Sequence, residues 1–172
     1  MERKPARLLR AASTFEKRRW FSQRLNPSSR FQASSLAEAG GLERVGVSIA
    51  WLPPGKESFA FHAHRYEEEW LYILEGRGLS IMGDEEVPIA AGDFVAFPTP
   101  SAAHVLRNTG DADLVYLMGG ENRAVEIIDY PRLRRSYMVL SRRASGKPRT
   151  EFYELGEAEF PFGAVTDEAG ES

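Results

Sequence analysis

Three histidines and one glutamate are the residues of this chain whose types and spacing suit metal chemistry. His62 and His64 are separated by one residue, Glu69 follows five positions later, and His104 is the third and last histidine. Side chains two positions apart on a strand point to the same face, so an extended segment presents His62 and His64 together. A turn after His64 would bring Glu69 back beside them on the next strand.

We predict that His62, His64, Glu69 and His104 bind a divalent transition metal, namely Fe, Mn, Ni or Zn. Three imidazole nitrogens and one carboxylate oxygen suit such an ion, with positions left open for water or a substrate. Each residue alone has a plainer interpretation, since a lone buried histidine is usually a hydrogen-bonded core residue and a run of glutamates is usually solvated. The set is the stronger interpretation because it uses every histidine in the chain.

The histidine count also limits the proton chemistry. If all three histidines are metal ligands, none remains to act as a general base. Proton transfer would then use metal-bound water, a carboxylate such as Glu67 or Glu68, a tyrosine or a lysine. We therefore assign no catalytic residue.

The elements that must position these residues are short strands. From Val45 onward, short runs with β-type residues alternate with turn residues, which indicates a sandwich or barrel. The predicted strands cover residues 45–52, 59–64, 69–75, 78–82, 86–89, 93–97, 103–107, 114–118 and 125–128.

The predicted organisation has three parts. Residues 1–44 form an N-terminal arm without strands, in which residues 7–24 are loosely compatible with a helix. Residues 45–130 form the barrel. Residues 131–172 form an irregular, charged C-terminal extension.

Composition excludes several classes of protein. The 172 residues suit one domain, and the absence of cysteine excludes disulfides and thiolate chemistry. No apolar run could span a bilayer, and no signal-peptide core is present, so we expect a cytoplasmic protein without a membrane partner. Basic residues cluster in residues 1–24 and 132–149, but the net charge is −3 and no DNA-binding motif accompanies them. We therefore predict no nucleic-acid partner.

The strand around Glu69 is apolar on both faces. Leu71 and Ile73 share the face of Glu69, and without a bulge Leu79 and Ile81 would follow on the same face. The outward side chains are then also apolar; they are Trp70, Tyr72 and Leu74. Burying a large apolar group contributes about 1.5–3 kcal/mol, so we expect these side chains to be covered. The candidates are the N-terminal segment, the same face of a second subunit, or the second sheet of the same subunit.

The two histidine segments resemble the paired motif of the cupin superfamily. Its first half corresponds to Gly55, His62, His64, Glu69 and Gly76, and its second half to Gly92, Pro98, His104 and Asn108. Glu69 matches the six-residue spacing to Gly76, whereas Glu68 matches only a shorter permitted spacing after His64. The chain departs from the motif by one extra residue after Gly55. In the second half it lacks the glycine after Pro98 and carries one extra residue before His104.

This resemblance implies an all-β fold, the cupin-type double-stranded β-helix or jelly-roll barrel, with an irregular or partly helical N-terminal arm. Cupins include dioxygenases, isomerases, decarboxylases and sugar-binding proteins, so the fold does not select an activity. The resemblance implies a metal-dependent enzyme acting on a small oxygenated organic molecule or sugar derivative. Because cupins are often dimers through this kind of surface, it also implies a homodimer in which the N-terminal segment helps to cover the outer face of the strand around Glu69. The alternative is a non-catalytic small-ligand binder or sensor with a structural metal.

Overall fold

The computed structural model describes residues 6–144 and 147–155, which consist mainly of antiparallel strands. The strands are β1 Arg19–Phe21, β2 Phe31–Ser35, β3 Val45–Leu52, β4 Ala63–His64, β5 Glu69–Glu75, β6 Arg77–Met82, β7 Glu85–Ala90, β8 Phe94–Phe97, β9 His104–Arg107, β10 Leu114–Glu121, β11 Val125–Tyr130, β12 Arg135–Ala144 and β13 Lys147–Leu155. The short helices are α1 Ala11–Glu16 and α2 Leu36–Gly40, and Pro131–Leu133 form a 3₁₀ turn.

These strands form three sheets, with the order β1-β2-β3-β10-β5-β8, the order β7-β6-β9 and the order β13-β12-β11-β4. The strands that were predicted from residue 69 onward are present, with ends that differ by up to three residues. The main core joins the inner face of the largest sheet to strands of the second sheet; its buried members are Phe31, Ala33, Ala50, Leu52, Leu71, Ile73, Ile89, Phe97, Leu106, Leu114 and Tyr116.

Strand β5 shows how parity positions the inner side chains. Leu71 and Ile73 are buried, as predicted, and Tyr72 faces outward with 40% of its surface exposed. A bulge follows, because β10 pairs Tyr116 with Ile73 but Val115 with Glu75, which leaves Leu74 without a partner residue.

The bulge reverses the parity of the next strand. On β6, Ser80 lies opposite Leu106 and Met82 lies opposite His104, so these residues share the inner face. Ile81 lies opposite Val105 on the other face. Leu79 and Ile81 were expected to face inward only without a bulge, and this condition is not met, because one extra residue in β5 exchanges the two faces.

The N-terminal arm contributes strands that were not predicted. Strand β2 pairs with β3, where Ala33 lies opposite Ala50, and Phe31 is only 2% exposed. The helix expected over residues 7–24 is limited to α1. The arm is thus partly helical, as expected, but the absence of strands before residue 45 was wrong. Phe31–Ser35 has little β propensity of its own, and its pairing with β3 makes it a strand.

The segment after the 3₁₀ turn was also misjudged as irregular. Strands β12 and β13 form a long antiparallel hairpin that extends β11, with Met138 opposite Ile127. Part of the basic 132–149 segment therefore belongs to a sheet, and the tail beyond residue 155 lies outside the described residues. The three domain limits remain predictions. Among the described helices, none is long and apolar enough to cross a membrane.

Candidate metal centre

Three strand ends and one isolated backbone bridge bring the predicted ligands together. His64 ends β4, Glu69 begins β5 and His104 begins β9. His62 precedes β4 and forms a backbone bridge with His104, in which each N–H donates to the other residue's carbonyl, at 3.2 and 2.7 Å. The predicted strand over residues 59–64 is thus reduced to residues 63–64. His62 pairs with His104 through the isolated bridge and not within a strand.

One carboxylate oxygen of Glu69 is the meeting point of the three imidazoles. Glu69 Oε2 lies 3.3 Å from His104 Nε2, 3.4 Å from His64 Nε2 and 3.9 Å from His62 Nε2. Ligand atoms that share a metal at bond lengths of about 2.0–2.2 Å lie roughly 3–4 Å apart, so these spacings fit a common metal. The metal assignment itself remains a prediction.

Local contacts fix the orientation of two of the rings. The Nδ1 atom of His62 lies 2.8 Å from the carbonyl oxygen of Ala60. A carbonyl can only accept, so Nδ1 carries the proton and the Nε2 lone pair is left toward Glu69. The ring of His104 stacks on Phe97 with 3.6 Å between ring centroids. Packing and hydrogen bonding therefore hold both Nε2 atoms on the inside of the barrel.

The protonation states of His62 and Glu69 suit metal binding. Burial, reinforced by the charge of His104, lowers the pKa of His62 from 6.5 to about 3. Burial acts in the opposite direction on Glu69, but its hydrogen bond from His104 and the charges of His64 and His62 lower its pKa to about 2. His62 is therefore neutral and Glu69 ionised near pH 7, which are the forms that bind a metal.

The glycines of β10 make room for this carboxylate. Gly120 lies opposite Glu69, and a Cβ atom at Gly120 would come within 2.7 Å of the Glu68 carbonyl oxygen and 3.1 Å of Glu69 Cγ. Gly119 likewise has the Trp70 indole over its Cα, since a Cβ there would lie 2.3 Å from the ring. Glu68 is exposed and faces away, so Glu69 is the inward carboxylate of the two.

A small cavity of about 40 Å³ opens beside Glu69, His62 and His104. Its apolar walls include Leu71 and Met118. Tyr116 also lines it, and its buried hydroxyl has no hydrogen-bond partner among the described residues. Burial raises the pKa of Tyr116, which keeps its hydroxyl protonated. This cavity offers a hydrogen-bond donor and one open side of the candidate centre to a small ligand.

Two groups of residues among those described could hold a metal ion. The first contains His62, Glu69 and His104, and the second contains His64, Glu67 and Glu126. His64 thus lies between them, with Nε2 toward Glu69 and Nδ1 toward the other two carboxylates. Sequence reasoning missed Glu126, although an acid between Val125 and the apolar pair Ile127 and Ile128 was an available signal.

Comparison with known proteins gives consistent matches. The family model described as "Cupin domain" matches residues 49–120. The oxalate-binding protein of Thermotoga maritima is 44% identical over 66 residues, which are 38% of this chain and 53% of that protein. The chain spans a little over half the length of the curated relatives it matches.

Two crystal structures match most of the chain. The protein from Acidithiobacillus ferrooxidans described as a "Putative sugar phosphate isomerase" is 36% identical, with a TM-score of 0.74 and coverage of 84% of this chain and 90% of that one. A sugar phosphate isomerase from Silicibacter pomeroyi is 27% identical, with a TM-score of 0.68 and coverage of 86% and 90%. These matches confirm the predicted double-stranded β-helix fold.

Proposed function

This chain belongs to the cupin superfamily, and from that premise we propose that it is a divalent-metal-dependent enzyme that isomerises a small sugar phosphate. The observation that carries the proposal is the convergence of three imidazole nitrogens on one Glu69 oxygen, at 3.3, 3.4 and 3.9 Å, beside a cavity. His62, His64, Glu69 and His104 would hold Fe, Mn, Ni or Zn. A metal bound there would polarise a carbonyl or hydroxyl oxygen of the substrate.

The chain's own residues supply the remaining contacts in this proposal. The Tyr116 hydroxyl donates a hydrogen bond to a substrate oxygen within the cavity. The apolar walls exclude water and strengthen the electrostatic interactions of the centre. The cavity of about 40 Å³ admits only a few atoms, so the reacting end of the sugar enters and the remainder stays outside.

Arg132 is the group that we assign to the phosphate. Its guanidinium lies 4.0 Å from the ring centroid of Phe61, which precedes His62 in the chain. Arg132 is exposed, and no carboxylate among the described residues lies within ion-pair distance of it. A guanidinium free of a carboxylate partner is well suited to a phosphate, because it can donate two parallel hydrogen bonds.

A second candidate is a non-catalytic binding protein for a small dicarboxylate. It is favoured by the 44% identity to an oxalate-binding protein and by the small size of the cavity. In this case the metal would be structural or would orient the ligand, and Arg132 would meet the second carboxylate.

Turnover separates the two candidates. The purified protein is assayed for metal content and incubated with a panel of aldose and ketose phosphates, with NMR detection of isomerisation before and after chelation. Metal-dependent turnover that is weakened by Arg132→Gln, through a higher KM, supports the enzyme. Saturable binding of oxalate without any turnover supports the binding protein. If the protein carries stoichiometric metal but shows no turnover and no oxalate binding, both candidates are contradicted.

We also propose that the protein is a cytoplasmic homodimer. Tyr72, Leu74 and Phe94 are 40%, 36% and 61% exposed, and Trp70 stacks on Phe94 with ring centroids 6.1 Å apart. In the described part of the N-terminal segment, Phe15 packs on Trp51 of β3, with ring centroids 5.4 Å apart. In a symmetric dimer, Tyr72, Leu74 and Phe94 would be buried against the same residues of a second copy of the chain.

A further inference from the structure

The edge of His64 that faces away from Glu69 lies against two glutamates outside the predicted ligand set, the buried Glu126 and the half-buried Glu67. His64 Nδ1 is 3.8 Å from Glu126 Oε1 and 3.9 Å from Glu67 Oε2. The side chains of Glu126 and Glu67 are 3% and 16% exposed. His64 Nδ1 and Glu126 Oε2 are buried and have no hydrogen-bond partner among the described residues.

Strand pairing and the following turn place Glu126 here. Ile128 of β11 lies opposite His64, and Glu126 is two positions from Ile128, so it shares the face of His64. Glu126 Oε1 also accepts hydrogen bonds from the backbone N–H groups of Arg65 and Tyr66, at 2.8 and 3.2 Å. Glu126 therefore holds the turn between two predicted ligands, His64 and Glu69.

Glu67 is anchored in a similar way from the other side. Its Oε1 accepts a hydrogen bond from the backbone N–H of Arg123, at 2.5 Å, and its Oε2 faces His64 Nδ1. No lysine or arginine among the described residues forms an ion pair with Glu126 or Glu67. Backbone N–H groups bond one oxygen of each carboxylate, and the His64 ring lies beside both side chains as a further donor.

The chemistry of imidazole indicates which role this arrangement serves. A neutral imidazole carries one proton, so a histidine that binds a metal through Nε2 carries that proton on Nδ1. Ionised carboxylates only accept hydrogen bonds, and two of them beside Nδ1 favour the proton at that atom. The Nε2 lone pair is then directed at the centre formed with Glu69, His62 and His104.

A separate cation at His64, Glu67 and Glu126 is the competing interpretation, since their ligand atoms lie within 4.8 Å of one another. An imidazole that binds metals through both nitrogens must lose both protons. With Nε2 on the first metal, the proton on Nδ1 would repel a second cation. The shared histidine therefore favours a positioning role for the two carboxylates.

We propose that Glu126, assisted by Glu67, is a positioning residue for the metal centre. Its carboxylate faces His64 Nδ1 at 3.8 Å and accepts hydrogen bonds from the turn after His64, and it would thereby present His64 Nε2 and Glu69 to the metal. The inference rests on the proposed function in one respect, which is that His64 is a metal ligand. Outer carboxylates that orient a metal-bound histidine typically contribute about 10–100-fold to metal affinity.

The test uses Zn²⁺ as the probe, in the full-length protein stripped of metal and reloaded. Affinity is measured by competition with a chromophoric chelator, and the ring nitrogens of His64 are observed by ¹⁵N NMR in the zinc-loaded form. Glu126→Gln keeps the side-chain shape and an acceptor for Arg65 and Tyr66 but removes the charge. We expect about 10–100-fold weaker Zn²⁺ binding and an upfield shift of the His64 Nδ1–H proton.

Matched variants separate a positioning role from a general loss of structure. Glu126→Asp restores the carboxylate and should recover most of the affinity. Glu121→Gln removes an exposed carboxylate that pairs with Arg123 and should change neither the affinity nor the His64 signal. Glu67→Gln should give a smaller loss than Glu126→Gln.

Each contrary result has its own meaning. Zinc affinity of Glu126→Gln within twofold of wild type, or an unmoved Nδ1–H signal, would overturn the positioning role. Two zinc ions per chain would overturn it in favour of a second cation site. If Glu126→Gln does not fold, the ¹⁵N spectrum of zinc-loaded wild type tests the proposal instead. Zinc bound to His64 through Nδ1 would overturn the proposal without any variant. Failure of wild type to bind zinc at all would instead overturn the proposed function on which it rests.

Discussion

The two faces of strand β5 differ in burial and in the groups that they present. The inner face carries Glu69 and the buried Leu71 and Ile73, and it meets three imidazoles. The outer face carries Tyr72, which is 40% exposed and lies opposite Phe94, which is 61% exposed. One strand thus contributes a candidate reaction centre on one side and an uncovered apolar surface on the other. Changes on either face should therefore have separable effects.

The largest expected effect is on the inner face. Replacement of both His62 and His64 by alanine should abolish stoichiometric metal, because two of the four proposed ligands are lost. The metal content of purified protein, measured by mass spectrometry, checks this, and the molecular mass in solution should stay unchanged. Glu68→Ala, at an exposed neighbouring position, should keep the metal. A double variant that still carries one metal per chain would show that the site is elsewhere.

The opposite outcome is expected from the outer face. Phe94→Glu should convert the proposed homodimer to a monomer while leaving the metal content unchanged, because it places a charge in the apolar surface formed by Tyr72, Leu74 and Phe94. Sedimentation velocity measures the mass. Phe152→Glu on β13, where Phe152 is 62% exposed, is the matched control and should not change the mass. A wild-type protein that sediments as a monomer would refute the dimer.

A smaller effect is expected from strand β10, where Gly120 lies opposite Glu69 of β5. Gly120→Ala should weaken Zn²⁺ binding by roughly tenfold, because its Cβ would press on Glu68 and displace Glu69. Gly46→Ala is the control, since a Cβ there meets its nearest atom, the Gly120 carbonyl oxygen, at 3.9 Å. Chelator competition measures both variants. Equal affinities would mean that Glu69 is not held by close packing against β10.

The smallest effect is on the acid stability of the metal-free protein. The pKa of His62 falls from 6.5 in the unfolded chain to about 3 on folding. Below pH 6.5 the unfolded chain binds a proton that the folded chain does not, so stability decreases on acidification, by at most about 1.4 kcal/mol for each pH unit. The lowered pKa of Glu69 also makes the folded protein less stable in acid. The stability that ionised Glu69 contributes is lost as the pH falls below 4.5 toward about 2.

Thermal unfolding of the metal-free protein between pH 6.5 and 5.5 isolates the histidine term. Between these two pH values the melting temperature of wild type should fall. The melting temperature of His62→Gln should fall less, because position 62 then has no side chain that takes up a proton. An identical pH dependence in the two proteins would mean that folding does not lower the pKa of His62.

Sequence reasoning was most successful where regular alternation governs the structure. His62, His64, Glu69 and His104 were predicted to meet, and the structure brings them together around Glu69 Oε2. The inward direction of Leu71 and Ile73 also followed from a period of two. Spacing and parity are local properties, and they place the residues from His62 to Ile73 from the chain alone. The approach of the distant His104 was expected from the resemblance to the paired cupin motif.

The errors lie where pairing with a distant segment decides the outcome. The bulge at Leu74 is a property of the pairing between β5 and β10, and it reversed the expected direction of Ile81. Strand β2 depends on pairing with β3, and the charge of Glu126 is buried because β11 pairs beside His64. None of these contacts is encoded in the spacing of neighbouring residues.

The central claim is that one metal binds to His62, His64, Glu69 and His104, with His64 using Nε2. Anomalous diffraction at the zinc edge, from crystals of the zinc-loaded protein, tests it most directly. The prediction is one peak per chain within about 2.0–2.3 Å of the three Nε2 atoms and a Glu69 oxygen. A peak bound instead by His64 Nδ1, Glu67 and Glu126, or no peak inside the barrel, would contradict it.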